Sequence, residues 1–293
     1  MDEKLFDEDF MRKLDNVSLH FQSTVNHVYS GGRRSRAHGS TVEFSDYREY
    51  ALGDDFRRID WNAYARFERF FVKLFLDEKQ LQVRVFLDTS RSMNWGTPNK
   101  GFAARRLSAA IVYLAVHALD RGALITLPGS DGSECGVLCP SVSGRTAFYK
   151  LLEALESLPF AGEAQLSRGI RAYRGIRKGD GVCFIISDLL GDCGYQDMLD
   201  YLLYQKQQIV LVHLLSPEEY EPDLAGRVRL TDCENGDYRD LDITPEALRY
   251  YKQALRDYQA EIGSFCSRRG VLYVPASSGD SFEVLIGKIG ATV

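Results

Sequence analysis

Apolar positions along the chain change their period repeatedly, and the changes mark out its elements. Leu81-Gln-Val-Arg-Val-Phe-Leu87 alternates, with Val83, Val85 and Leu87 on one face and Arg84 interrupting the other, which predicts a strand. From Lys100 to Asp120 the spacing turns helical. Ala123 to Leu127 predicts a second strand, and Gly136 to Cys139 a short one paired with it as a hairpin. Arg145 to Leu158 carries Phe148, Leu151, Leu152 and Leu155 at helical spacing and ends before Pro159. After a loop over Phe160 to Leu166, a further helix stops near Lys178-Gly179. Val182-Cys-Phe-Ile-Ile186 is a continuous apolar run of the kind a central parallel strand shows. A helix from Tyr195 to Gln207 and a buried strand from Ile209 to Leu215 follow. Arg227 to Leu230 and Tyr238 to Asp242 flank Asn235-Gly236, a strong hairpin signal. Thr244-Pro245-Glu246 supplies a helix with its cap, a first-turn proline and an acid near the positive end. That helix runs to about Arg269, a strand covers Val271 to Val274, and a short helix covers Ser281 to Ile289.

Alternating strands and helices predict a three-layer α/β domain over residues 81–293, preceded by an extension over residues 1–80. Within the extension Phe6, Phe10, Leu14 and Val17 recur at helical spacing. A Gly- and Arg-rich loop containing Arg33-Arg34-Ser-Arg36 follows, and then a block dense in aromatics, Arg and Asp. Its rings (Phe44, Tyr47, Tyr50, Phe56, Trp61) are expected to be buried by packing of Val42 to Arg66 on the α/β domain, with Arg and Asp side chains paired.

Composition narrows the class. At 293 residues, 45% hydrophobic and 26% charged, the chain is ordinary for a soluble globular protein. A formal net charge of −5 gives no reason to expect nucleic acid, and the arginine run reads as a solvated loop. Met1 to Leu14 is rich in acids and lacks the apolar core of a signal peptide. The most apolar run, Ala109 to Leu119, is too short to cross a bilayer. These features point to a cytoplasmic protein with no integral membrane segment. None of the six cysteines forms a Cys-x-x-Cys pair and no His lies at ligand spacing from one, which argues against zinc. Cys183 reads as a buried thiol and His213 as a core histidine.

The candidate chemistry sits at strand ends. The first strand runs straight into Asp88-Thr-Ser90-Arg-Ser92, and the Val182 strand ends on Ser187-Asp188. In an open α/β sheet these groups share the crevice at the carboxyl ends of the strands, where such sheets bind ligands. Carboxylates with nearby hydroxyls are hard donors that suit Mg²⁺ or Mn²⁺; a helix-capping turn without a metal gives the same local pattern. No Gly-x-Ser-x-Gly, Gly-x-x-x-x-Gly-Lys or His-Glu-x-x-His is present. A phosphohydrolase of the haloacid-dehalogenase type would also put an Asp at a first strand end. It needs a second Asp two residues on as proton donor, and that position is Ser90.

The block Glu43-Phe44…Arg48-Glu49-Tyr50…Gly53-Asp54-Asp55…Arg57…Ile59-Asp60-Trp61…Ala65-Arg66, leading into Asp88-x-Ser90-x-Ser92-Met93, closely resembles domain-of-unknown-function family 58. These are bacterial proteins with a von Willebrand factor A-like domain, and Asp-x-Ser-x-Ser resembles the metal-ion-dependent adhesion site of such domains. The likeness covers most of the chain, including Ser187-Asp188 and Asp232-Cys-Glu234-Asn-Gly236. It implies a Rossmann-like von Willebrand A-type sheet with one antiparallel edge strand. It implies a metal site with ligands Asp88, Ser90, Ser92 and, through water, Asp188. It further implies a MoxR-type AAA+ ATPase as partner in chaperone-like assembly of an unidentified client. One position departs from the pattern. The family usually offers a Thr ligand as Gly-Thr-Asp-Leu, and here Gly162-Glu163-Ala164-Gln165-Leu166 puts Ala164, without an oxygen, where the Thr belongs. The expected function is a non-enzymatic, metal-ion-dependent protein-interaction module, with a structural scaffold carrying an altered site as the alternative.

Overall fold

The computed structural model describes residues 5–16, 43–51, 54–76, 81–118, 120–129, 131–163, 165–179, 181–191, 194–234 and 236–292. The arginine run at residues 33–36 and the critical Ala164 therefore lie outside the described residues. The chain divides into two compact units, Gln22–Gln80 and Met1–Phe21 with Leu81–Val293.

In the larger unit a six-stranded sheet has the order β10-β7-β6-β3-β4-β5. Its strands are β3 (Gln82–Asp88), β4 (Arg121–Leu127), β5 (Gly136–Val142), β6 (Val182–Ser187), β7 (Gln208–Leu215) and β10 (Leu272–Ser277). All pairings are parallel except β4 with β5, which places one antiparallel strand at the edge. The expected three-layer, Rossmann-like α/β fold is the one observed. On one face lie α5 (Leu166–Ala172), α6 (Tyr195–Tyr204) and α8 (Pro245–Ser267), closing a core of Phe86, Ile125, Ile185, Leu199, Leu211 and Ile262. Side chains alternate across the sheet, so Val85 and Leu87 face the other way, toward α3 (Lys100–His117). With α3 pack α4 (Arg145–Glu156) and α9 (Phe282–Thr292).

Helix α1, described over residues 8–16, belongs to this same unit. Of its predicted stripe Phe10 and Leu14 are buried, Phe6 is half-buried ahead of the helix and Val17 lies outside the described residues. The Phe10 ring meets Phe282 edge-on at 5.0 Å. Arg106 of α3 lies over Phe10 and donates from Nε to the Leu5 carbonyl at 2.8 Å. An exposed hairpin, β8 (Gly226–Thr231) with β9 (Tyr238–Ile243), projects between α7 (Pro217–Tyr220) and α8. Among the described residues, no helix is long and apolar enough to cross a membrane.

The smaller unit pairs β1 (Glu43–Glu49) with β2 (Phe71–Leu76) in antiparallel fashion, with α2 (Trp61–Phe67) between them in the chain. Neither strand was legible in the sequence. Asp60 organises the turn: Oδ1 accepts from the Asn62 and Ala63 amides, and Oδ2 accepts from the Tyr47 hydroxyl at 2.9 Å. Arg48 pairs with Asp54 at 2.8 Å, as expected of an Arg/Asp-rich block. The expected burial of the aromatics is corrected. Trp61 is 61% exposed, Phe56 is 65% exposed and Tyr47 is also on the surface, while Tyr50 is half-buried. The Phe44 side chain lies outside the described set. The described residues of this unit form a two-stranded ribbon with one short helix and no second layer, and the large rings cover one another. Tyr64 stacks on Phe70 at 4.6 Å and Trp61 meets both edge-on.

The register that aligns β3 with β6 depends on a close approach at their start. Gly181 has φ +151°, and a Cβ there would sit 2.1 Å from the Gln82 carbonyl oxygen. Backbone cannot yield as a flexible side chain does. Gly181→Ala is expected to cost about 2 kcal/mol or more in urea unfolding. An unchanged midpoint and slope would contradict the close approach.

Candidate functional site

The chain order of the sheet reverses at β3. From there the path goes outward through β4 and β5, then returns to the other side with β6, β7 and β10. Such a reversal opens a crevice at the carboxyl ends of the two strands that flank it. Asp88 ends β3, Asp188 follows β6, and the two strands are direct neighbours.

Both carboxylates are fully buried and held by short local bonds. Asp88 Oδ1 accepts from the Ser90 amide at 2.9 Å, which turns the chain immediately after the strand. Asp88 Oδ2 accepts from Ser187 Oγ at 2.6 Å. Ser90 Oγ and Ser92 Oγ lie 3.0 Å apart, so the two hydroxyls of the motif converge. Asp188 Oδ1 accepts from the Leu190 amide at 3.2 Å, across Leu189, whose φ of +50° is strained for a branched residue. The Leu189 carbonyl accepts from Tyr258 Oη at 2.6 Å, which helps to hold that conformation. Asp88, Ser90, Ser92 and Asp188 are thus brought into one neighbourhood.

Two members of this neighbourhood, Lys100 and Glu219, were not picked out in the sequence, whereas Ser187 was read with Asp188 at the end of its strand. Lys100 is completely buried and donates to Asp188 Oδ2 at 2.7 Å and to Glu219 Oε1 at 2.5 Å. Glu219 also accepts from the Ser216 amide at 2.6 Å, closing the capping box of α7. A signal for Lys100 did exist. It sits in the first turn of α3, where the helix dipole disfavours a cation, and on the same stripe as Ala103, Ala104 and Leu107. A lysine on a buried stripe at the wrong helix end asks for a carboxylate.

The loop after α4 is stitched to the motif. Ala161 N donates to the Thr89 carbonyl at 2.8 Å and Arg91 N donates to the Gly162 carbonyl at 3.1 Å. On the opposite side, Arg91 Nη1 donates to the Cys233 carbonyl in the β8–β9 hairpin at 3.1 Å.

Burial pushes the Asp88 carboxyl up to about 7, helped by the like charge of Asp188 and opposed by hydrogen bonds from Ser187 and Ser90. Burial also works against the Lys100 ammonium, but Asp188 and Glu219 outweigh it and its pKa is raised. His213, paired with Ser187 in the register of β6 and β7, shares Nδ1 with the Tyr273 hydroxyl at 2.7 Å. Among the described residues its buried Nε2 makes no well-formed hydrogen bond, and burial, opposed by the nearby Asp188 backbone and charge, lowers its pKa to about 4. It is a core histidine, as the sequence suggested.

The donor set suits a hard divalent cation: two carboxylates and two hydroxyls, all oxygen. Among the described residues, no three His, Cys, Asp or Glu side chains are grouped to hold a metal. A cation here would therefore lean on the serine hydroxyls. Residues 46–261 match the family described as protein of unknown function DUF58. The chain belongs to that family. An uncharacterized protein of Mycobacterium tuberculosis is 27% identical over 255 residues, covering 85% of this chain and 78% of that protein. A second, from Mycobacterium avium, is 28% identical over 127 residues, covering 42% of this chain and 74% of that one. Among solved structures, the conserved hypothetical protein BatB of Bacteroides thetaiotaomicron is 15% identical with a TM-score of 0.43, covering 72% of this chain and 96% of that one. An aerotolerance-related membrane protein of Bacteroides fragilis is 15% identical with a TM-score of 0.44, covering 73% of this chain and all of that one. Nothing about the function of this DUF58 chain follows from likenesses so distant.

Two buried groups titrate with opposite sign. His213, with its pKa lowered in the fold, contributes stability present above about 6.5 and lost as pH falls through about 4. Asp88, with its pKa raised, contributes stability present below its ordinary value of 3.8 and lost as pH rises through about 7. Relative to wild type, His213→Gln should gain up to about 3 kcal/mol between pH 7 and pH 4, and Asp88→Asn should lose a similar amount. Urea unfolding at several pH values measures both, and parallel profiles for all three proteins would contradict these shifts.

Proposed function

We propose that this DUF58 chain is a non-enzymatic protein-interaction module working through a divalent-cation site at Asp88, Ser90, Ser92 and Asp188, with Mg²⁺ or Mn²⁺ as the ion. The observation that carries the reading is an imbalance of charge. Asp188 and Glu219 share the buried ammonium of Lys100, while the neighbouring Asp88 is met by a hydroxyl and an amide. The two strand-end acids thus have positive charge on one side only, and a divalent cation would supply the rest. The pKa of Asp88, raised first by burial and then by the like charge of Asp188, marks a carboxylate whose charged form a cation would stabilise. Bound there, the ion supplies an open position that a partner's Asp or Glu can fill, making a protein–protein contact depend on the cation.

The chain's own residues have separate tasks in this reading. Asp88 supplies the charged oxygen at the strand end, while Ser187 and the Ser90 amide fix its orientation. Ser90 and Ser92 present neutral oxygens side by side. Asp188, already bonded to Lys100, acts through water. The partner, from the family resemblance, is a MoxR-type AAA+ ATPase that acts with this chain in assembling or maturing a protein complex.

Millimolar Mg²⁺ or Mn²⁺ should raise the melting temperature of the wild-type protein by a few degrees, equivalent to about 1 kcal/mol. Asp88→Ala should abolish the rise, and Ala164→Thr should enlarge it by restoring a hydroxyl. Equal melting of all three proteins with and without metal would leave a structural scaffold as the better account. A pull-down from the native host, run with Mg²⁺ and again with EDTA, tests the partner. The AAA+ ATPase should be recovered only with Mg²⁺, and equal recovery in EDTA would remove the cation from the interaction.

A further inference from the structure

Lys100 has no part in the donor set, yet it is the most fully enclosed charge next to it. Its ammonium reaches the centre from the first turn of α3, on a helix capped by Asn99, so its stem is fixed by the packing of that helix on the sheet. At 2.7 Å from Asp188 Oδ2 it already does for that carboxylate what a metal ion would do. Its second bond, 2.5 Å to Glu219 Oε1, ties the ammonium to α7. Glu219 is in turn fixed by the Ser216 amide, and Ser216 lies against Gly96 in the loop that follows the motif. The ammonium is therefore suspended between two carboxylates, one of them inside the candidate cation site.

We propose that Lys100 is a resident counter-charge that sets the affinity and selectivity of the cation site, competing with the divalent ion for Asp188. The inference rests on the cation-site reading given above and adds to it the residue that tunes the site. Two positive centres on one carboxylate repel each other in a buried setting, where charge is poorly screened. Lys100 thus keeps binding weak in the isolated chain, so that a partner's carboxylate is needed to complete the site. Glu219 moderates this by taking part of the ammonium's charge.

Two variants and one ligand test the inference, with calorimetric titration of MgCl₂ and melting curves as readouts. Lys100→Met removes the competitor and should bind Mg²⁺ tighter than wild type by about tenfold or more. Without metal this variant should melt lower than wild type, because Asp188 and Glu219 lose their partner, and Mg²⁺ should restore much of the loss. Glu219→Gln keeps the capping hydrogen bond but leaves the ammonium to Asp188 alone, so its Mg²⁺ affinity should fall. If wild type binds Mg²⁺ through Asp88 and Lys100→Met binds no tighter, Lys100 is a structural ion pair and the inference fails while the cation site stands. If neither wild type nor Lys100→Met binds Mg²⁺ or Mn²⁺, the cation-site reading fails and takes the inference with it. Should Lys100→Met not fold even with Mg²⁺, the second variant decides: affinity of Glu219→Gln equal to or above wild type overturns the proposal.

Discussion

Two carboxylates buried at the ends of neighbouring parallel strands repel each other, and much of the surrounding structure answers that constraint. Asp88 is met by a hydroxyl from the adjacent strand and by the amide two residues on. Asp188 is met by the Lys100 ammonium and a backbone amide in a strained turn. A buried ion pair of this kind is weak evidence of stability, since desolvation offsets most of its attraction, while losing one partner costs several kcal/mol. An apolar pair would serve a scaffold at least as well. Two acids, an amine and two hydroxyls at the switch point of the sheet are the feature on which the proposed cation site rests.

Most of the larger unit was legible in the sequence because its elements keep a clean period. The buried runs of β6 and β7, the hairpin around Asn235-Gly236 and the Thr244 cap were all readable, and the observed ends fall within a few residues of those expected. The Asp88 and Asp188 ends of the strands were readable too, since type and position coincide there. Lys100 and Glu219 were not, for a common reason. Each acquires its role from a partner roughly ninety or more residues away, and no local pattern encodes that distance. Lys100 alone left a trace, as a cation on a buried stripe at the positive end of a helix.

The smaller unit was misjudged through an assumption about size. Aromatics were taken to imply burial, but the described ribbon and short helix do not enclose them. Trp61, Tyr64 and Phe70 instead shed water by ring-on-ring contact. Asp60, in a block read for Arg/Asp pairing, also caps a helix, accepting from two amides and a tyrosine hydroxyl. Capping and pairing draw on the same residue types, and only the backbone decides between them.

The pairing of β3 with β6 also has a kinetic consequence. The serine hydroxyls at positions 90 and 92 lie beside Asp88 in the chain and come together as soon as the turn after β3 closes. Asp188 arrives only when two strands separated by the α3, α4 and α5 segments meet in parallel register. Closing so long a loop carries an entropic cost before any contact offsets it, so high-contact-order pairing of this type is slow. The neutral half of the centre is thus local in origin and the doubly charged half is a product of late topology. A nascent chain still emerging short of β6 carries the motif but not the centre.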